Sequence, residues 1–91
     1  LVSQDDKEVA IIFDKRDINE ELIRIESHID SFLTYVDSYD VLGKRLTFLI
    51  QELFRESNTI ASKSEVVEIN KIVIDIKSEL EKIKEQVQNI L

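Results

Sequence analysis

One stretch near the end of the chain decides the fold: residues 66–90, which read VVEINKIVIDIKSELEKIKEQVQNI. Its apolar residues recur at alternating intervals of three and four, at Val66, Ile69, Val73, Ile76, Leu80, Ile83, Val87 and Ile90. This heptad repeat places the apolar side chains on one face of an α-helix. Residues 72–76 taken alone could form a strand, but the heptad continues on both sides of them. The pattern therefore predicts a helix over residues 65–90.

Two further apolar stripes precede this helix. One predicts a helix over residues 41–61, with Leu42, Leu46, Leu49, Leu53 and Ile60. The other predicts a helix over residues 4–39, with Ile11, Ile18, Leu22, Ile25, Ile29, Phe32 and Val36. The absence of Pro and the presence of a single Gly favour uninterrupted helices. The fold class is thus all-α, with three long amphipathic helices in an antiparallel hairpin or bundle.

The predicted helices differ in length. At 1.5 Å per residue the first spans roughly 50 Å, and the others about 30 and 40 Å. The first helix should protrude, and its apolar residues 9–13 should be covered by another copy or another domain.

Length and composition limit the class of protein. At this length we expect residues 1–91 to form a single helical domain. Because the chain begins at Leu1 rather than Met and a heptad is still running at Leu91, we expect a C-terminal fragment of a larger protein whose N-terminal domain is absent. The chain has no Cys, which fits a reducing cytoplasm, and no apolar run approaches the ~20 residues of a membrane span. A net charge of −7 argues against non-specific nucleic-acid binding.

Polar residues line an edge of each of the first two helices. Asp17, Glu21, Arg24 and His28 are spaced for one edge of the first, and Glu56 interrupts the apolar stripe of the second. A carboxylate at a core position needs a basic partner or a metal. Solvated salt bridges and a structural ion pair are the simpler interpretations.

His28 and Glu52 lie equally far along the sequence from the turn near Asp40. If the two helices pack antiparallel, these residues stand at the same level, so we expect the two polar edges to meet. A divalent cation between the helices would need hard oxygen ligands such as Asp17, Glu21, Glu52 and Glu56, with His28 as a nitrogen ligand or an acid/base.

Three segments resemble a known family: residues 17–29 (DINEELIRIESHI), residues 43–63 (GKRLTFLIQELFRESNTIASK) and residues 84–90 (KEQVQNI). They are similar to the C-terminal helical domain of YicC-like endoribonucleases. The resemblance implies a bacterial cytoplasmic enzyme that cleaves single-stranded RNA, depends on a divalent metal such as Mn²⁺ or Mg²⁺, and assembles as a hexamer with a separate N-terminal domain.

The resemblance implies a role for each group of candidate residues. The catalytic candidates are His28, Glu52, Arg55 and Glu56; the RNA-binding candidates are Arg24, Arg45, Asn58 and Lys63; and the metal candidates are those named above. A metal-free mechanism with His28 and Glu21 or Glu56 as the acid/base pair is also open. The alternative function is a non-catalytic coiled-coil oligomerisation or interaction module. We expect the isolated chain to be inactive, because an acidic module has few cations to hold RNA.

Overall fold

A computed structural model describes residues 4–36 and 43–90, except for the side chains of residues 4–7, 9–17, 43 and 90. Three helices form: α1 at Gln4–Val36, α2 at Gly43–Lys63 and α3 at Val67–Ile90. No strand occurs in these ranges, which confirms the all-α class, and residues 72–76 are helical. None of the helices in the described part combines the length and apolarity that crossing a membrane requires.

The helix boundaries differ from the prediction at the second turn. Helix α2 continues two residues past the predicted end at residue 61. Hydroxyl side chains of this helix bond to backbone carbonyls of the preceding turn. Ser57 Oγ donates to the Leu53 carbonyl at 2.8 Å, and Ser62 Oγ donates to the Thr59 carbonyl at 2.9 Å. Ser64 precedes α3, and its hydroxyl accepts from the Val66 amide at 3.2 Å. The predicted first turn, near Asp40, lies within residues 37–42, which are outside the described residues.

Helix α2 is the central helix and packs against both α1 and α3. One core cluster joins Ile18, Ile60 and Val73, and a second joins Leu46, Ile50 and Val87. Phe32 of α1 packs against the second cluster. From the first cluster to the second, residue numbers therefore rise along α1 and α3 and fall along α2, which is the order that antiparallel packing produces. This arrangement is consistent with the predicted hairpin.

An apolar groove remains between α1 and α3. It has a volume of about 320 Å³, and Ile50 and Leu53 of α2 are among its lining residues. Ile29 and Leu33 contribute from α1, and Ile83 from α3, and all three are exposed. The heptad stripe of α1 is therefore only partly buried, because α2 covers one side of it and α3 does not close over the other.

The apolar start of the first helix, residues 9–13, belongs to the part of α1 whose side chains are not described. Its burial by another copy or domain stays a prediction.

Candidate functional site

The anomalous Glu56 is buried, with 4 % of its surface exposed. Its Oε1 accepts from Arg24 Nε at 2.9 Å, across the α1/α2 interface. The prediction that Glu56 would be buried against a basic residue is confirmed, and Arg24 is that residue. The pairing explains how a carboxylate is tolerated on an apolar stripe.

His28, Glu52 and Glu56 converge at the same interface. One ligand atom from each of these three residues lies within 4.8 Å of the other two. His28 and Glu52 are half-buried, so the group opens to solvent on one side while Glu56 forms its buried end. The predicted meeting of the two polar edges is confirmed for these residues. Helix geometry supplies the reason: His28 comes one turn after Arg24 on α1, and Glu52 comes one turn before Glu56 on α2.

Glu21 occupies a neighbouring ion-pair network. It is 1 % exposed, and its Oε1 accepts from Lys63 Nζ at 2.8 Å and from Arg24 Nη2 at 3.3 Å. The hydrogen bond from Lys63 holds the pKa of Glu21 below its ordinary value of 4.5, although burial alone would raise it. The same bond raises the pKa of Lys63. The structure therefore does not bring Glu21 into the group formed by His28, Glu52 and Glu56.

Arg24 links the two groups. Besides Glu56 and Glu21, its Nη1 lies 3.8 Å from Glu20 Oε2. The hydrogen bond to Glu56 raises the pKa of Arg24. Because three carboxylates share this guanidinium, Arg24 is held by protein groups, and its predicted contact with RNA is untested.

The remaining basic and amide candidates lie on the exposed side of α2. Arg55 is exposed, and its Nη1 lies 3.7 Å from Glu52 Oε2. Asn58 is also exposed and lines an open depression with Arg55 and Gln51. Arg45 lies over the ring of Tyr35, 5.3 Å from its centroid. The metal candidate Asp17 lies among the side chains that are not described.

Sequence reasoning did not name Glu20 and Tyr35 as neighbours of the candidate residues. Glu20 pairs with Arg24 at the i, i+4 spacing of adjacent turns, a signal that the sequence contained. The Tyr35–Arg45 contact joins two helices, and no spacing within one helix could have indicated it.

The fold and the site define an all-α domain with a buried carboxylate, its arginine and a histidine–glutamate pair gathered at one interhelical edge. The chain belongs to a family described as "Endoribonuclease YicC-like, C-terminal", whose model matches residues 3–91. The resemblance drawn from the sequence is thereby confirmed.

Two relatives are each named "Probable endoribonuclease YicC". The one from Clostridioides difficile (strain 630) is 50% identical over 84 residues, which are 92% of this chain and 29% of the relative. The one from Haemophilus influenzae (strain ATCC 51907 / DSM 11121 / KW20 / Rd) is 34% identical over 85 residues, which are 93% of this chain and 30% of the relative. This chain thus spans less than a third of these relatives. No solved structure matches it significantly.

Proposed function

We propose that this chain is the C-terminal domain of a bacterial cytoplasmic endoribonuclease that cleaves single-stranded RNA with a divalent cation. The observation that carries the proposal is the convergence of His28, Glu52 and Glu56 within 4.8 Å, in a chain that belongs to this family. RNA is proposed as the substrate because the relatives bear the name of an endoribonuclease.

The donor set fits a divalent cation. Two carboxylates and one imidazole suit Mn²⁺, and Mg²⁺ binds readily to carboxylates and water. Glu56 has two oxygens, so it can accept from Arg24 and also offer an oxygen to the ion. The bound ion would stabilise negative charge at the scissile phosphate and lower the pKa of a bound water.

The surrounding residues have supporting roles. Arg24 fixes the orientation of the Glu56 carboxylate through its hydrogen bond. Arg55 is exposed next to Glu52, where its guanidinium can contact the phosphate on which charge develops. Asn58 and Arg45 would contact RNA along the exposed side of α2. Lys63, which binds Glu21, can reach a phosphate near the other end of that helix.

A metal-free version of the same function uses His28 as the proton acceptor from a ribose 2′-hydroxyl. Glu56 would be the second member of the acid/base pair, since its ligand atom lies within 4.8 Å of that of His28. The predicted pairing of His28 with Glu21 is less well supported, because Lys63 and Arg24 engage Glu21.

The proposal predicts metal-dependent RNA cleavage. The full-length protein should cut a labelled single-stranded RNA in the presence of Mn²⁺ or Mg²⁺, with a rate that saturates as the ion is titrated. Chelation with EDTA should abolish cleavage, and returning the ion should restore it. Cleavage that persists in EDTA would favour the metal-free mechanism. A purified full-length protein that cuts no RNA under either condition would refute the nuclease assignment.

A second candidate function is an oligomerisation module, and the apolar groove between α1 and α3 favours it. The described residues that line the groove are all apolar, and side chains such as Ile29 and Leu33 are exposed along it. An exposed apolar surface of this kind usually meets a partner. We propose a second copy of the protein as that partner, within a homo-oligomer that the family resemblance implies to be a hexamer.

This second proposal predicts that groove substitutions weaken self-association. Leu33 is 56 % exposed, so Leu33→Ser should cost little folding free energy while placing a hydroxyl in the apolar contact. We expect sedimentation of the full-length Ile29→Ser/Leu33→Ser variant to shift towards smaller species. Ile74→Ser is the matched control, since Ile74 is an exposed apolar residue of α3 that does not line the groove. Unchanged sedimentation of the groove variant would place the interface elsewhere.

A further inference from the structure

Phe48 is an exposed aromatic residue in an otherwise polar region of α2. Its side chain is among the exposed large hydrophobic residues, at 56 % exposure, and Phe32, Tyr35 and Phe54 are more buried. It is the one exposed aromatic residue among the side chains that the structure describes. With 56 % of its surface exposed, Phe48 leaves much of its ring available for contact with a ligand.

The neighbours of Phe48 along α2 are polar, with two basic residues and one carboxylate among them. Lys44 and Arg45 lie one turn before it on α2, and Gln51 and Glu52 lie one turn after it. Lys44, Arg45 and Gln51 are exposed, and Glu52 belongs to the group with His28 and Glu56. An aromatic face flanked by basic side chains is the arrangement by which proteins bind single-stranded nucleic acids, since bases stack on the ring and cations contact the backbone.

The distance to the candidate site is short. Glu52 lies four positions after Phe48, a rise of about 6 Å along the helix. A nucleotide whose phosphate lay at the proposed cation beside Glu52 could therefore place its own base, or that of its neighbour, on the ring. The cation–π contact with Tyr35 holds the Arg45 guanidinium on the side of α2 that also carries Phe48 and Glu52. From there the guanidinium can contact an adjoining phosphate.

We propose that Phe48 is a base-stacking platform that binds an unpaired nucleotide next to the scissile phosphate. This inference rests on the proposed function and adds a specificity element to it. Stacking on the ring requires a base that is not paired within an RNA duplex, so Phe48 selects single-stranded over double-stranded RNA. It discriminates little among the four bases, because each has a π-face.

The test is a comparison of full-length variants with an RNA carrying 2-aminopurine near the cleavage position. Phe48→Leu keeps an apolar side chain and removes the π-face, whereas Phe48→Trp keeps the π-face. We expect binding to quench 2-aminopurine fluorescence in the wild type and in Phe48→Trp. Phe48→Leu should lose the quenching, bind single-stranded RNA about tenfold more weakly, and raise KM about tenfold with kcat little changed. Ile72→Leu, a change at an exposed residue of α3, is the control and should match the wild type.

The outcomes separate this inference from the proposed nuclease. If the wild type cleaves RNA and Phe48→Leu binds and quenches as the wild type does, the stacking role is wrong and the nuclease stands. If the wild type binds and quenches without cleaving, the nuclease assignment fails and the stacking role is still decided by the variants. If the wild type binds no single-stranded RNA, both are overturned.

Discussion

Replacing His28 by alanine in the full-length protein is expected to lower the rate of RNA cleavage by at least about 100-fold. His28, Glu52 and Glu56 present ligand atoms within 4.8 Å of one another, so the loss of any one leaves the site without a ligand or an acid/base. Glu52→Ala and Glu56→Ala should cause losses of similar size. Helical content measured by circular dichroism should be unchanged in His28→Ala and Glu52→Ala, because both residues are only half-buried.

The Glu56 variant needs a separate control, since its removal also affects Arg24. Glu56→Gln retains the size of the side chain and a carbonyl oxygen that can accept from Arg24, but removes the negative charge. It should keep the fold and lose cleavage. Glu26→Gln, at an exposed carboxylate of the same helix as His28, should cleave as the wild type does. Wild-type rates in His28→Ala, Glu52→Ala and Glu56→Gln together would end the catalytic assignment and leave the fold untouched.

The second large effect is a loss of thermal stability, which we expect when the buried Glu21 carboxylate or its partner is replaced. Glu21→Gln, or Lys63→Met, should lower the melting temperature at pH 7 by about 5 to 10 °C, because each breaks an ion pair that joins α1 to the end of α2. The loss is smaller than for a fully buried pair, since the Lys63 side chain is 40% exposed. Lys82→Met is the control: it removes the exposed pair with Glu79 and should shift the melting temperature little.

The pH dependence of the free energy of unfolding shows whether the charge of Glu21 causes this loss of stability. The folded-state pKa of Glu21 lies below its ordinary value of 4.5, so its charge contributes stability above that value, and the contribution is lost as the pH falls through the lowered pKa. The folded-state pKa of Lys63 is raised above 10.5, so its contribution persists below that value and is lost at higher pH. The difference in unfolding free energy between the wild type and Glu21→Gln should therefore be largest between these limits and narrow towards acid. A difference that stays constant from neutral to acid pH would show that packing, not charge, causes it.

Some of the candidate site was predictable from the sequence because helix geometry is local and regular. The apolar stripe identified Glu56 as a carboxylate in a core position. Equal distances from the turn placed His28 level with Glu52. The identity of the partner of Glu56 was not predictable, since the apolar stripe shows that Glu56 needs a basic partner or a metal but not which basic residue reaches it. The rotation of each helix about its own axis decided which residue pairs with Glu56. Arg45 lies over Tyr35 and Arg55 lies near Glu52, whereas Arg24 reaches Glu56.

The sequence by itself determined the three helices, because the 3.6-residue period and the spacing of apolar residues are properties of each segment alone. It also determined family membership, through residues 43–63 above all. Only the tertiary structure decided that Glu21 pairs with Lys63, which is 42 residues away, and that Glu21 is not among the residues that converge with His28. It also decided that α2 is the central helix and that a groove remains between α1 and α3. A heptad specifies which face of a helix is buried but not which helix covers it, and that choice depends on how all three surfaces pack together.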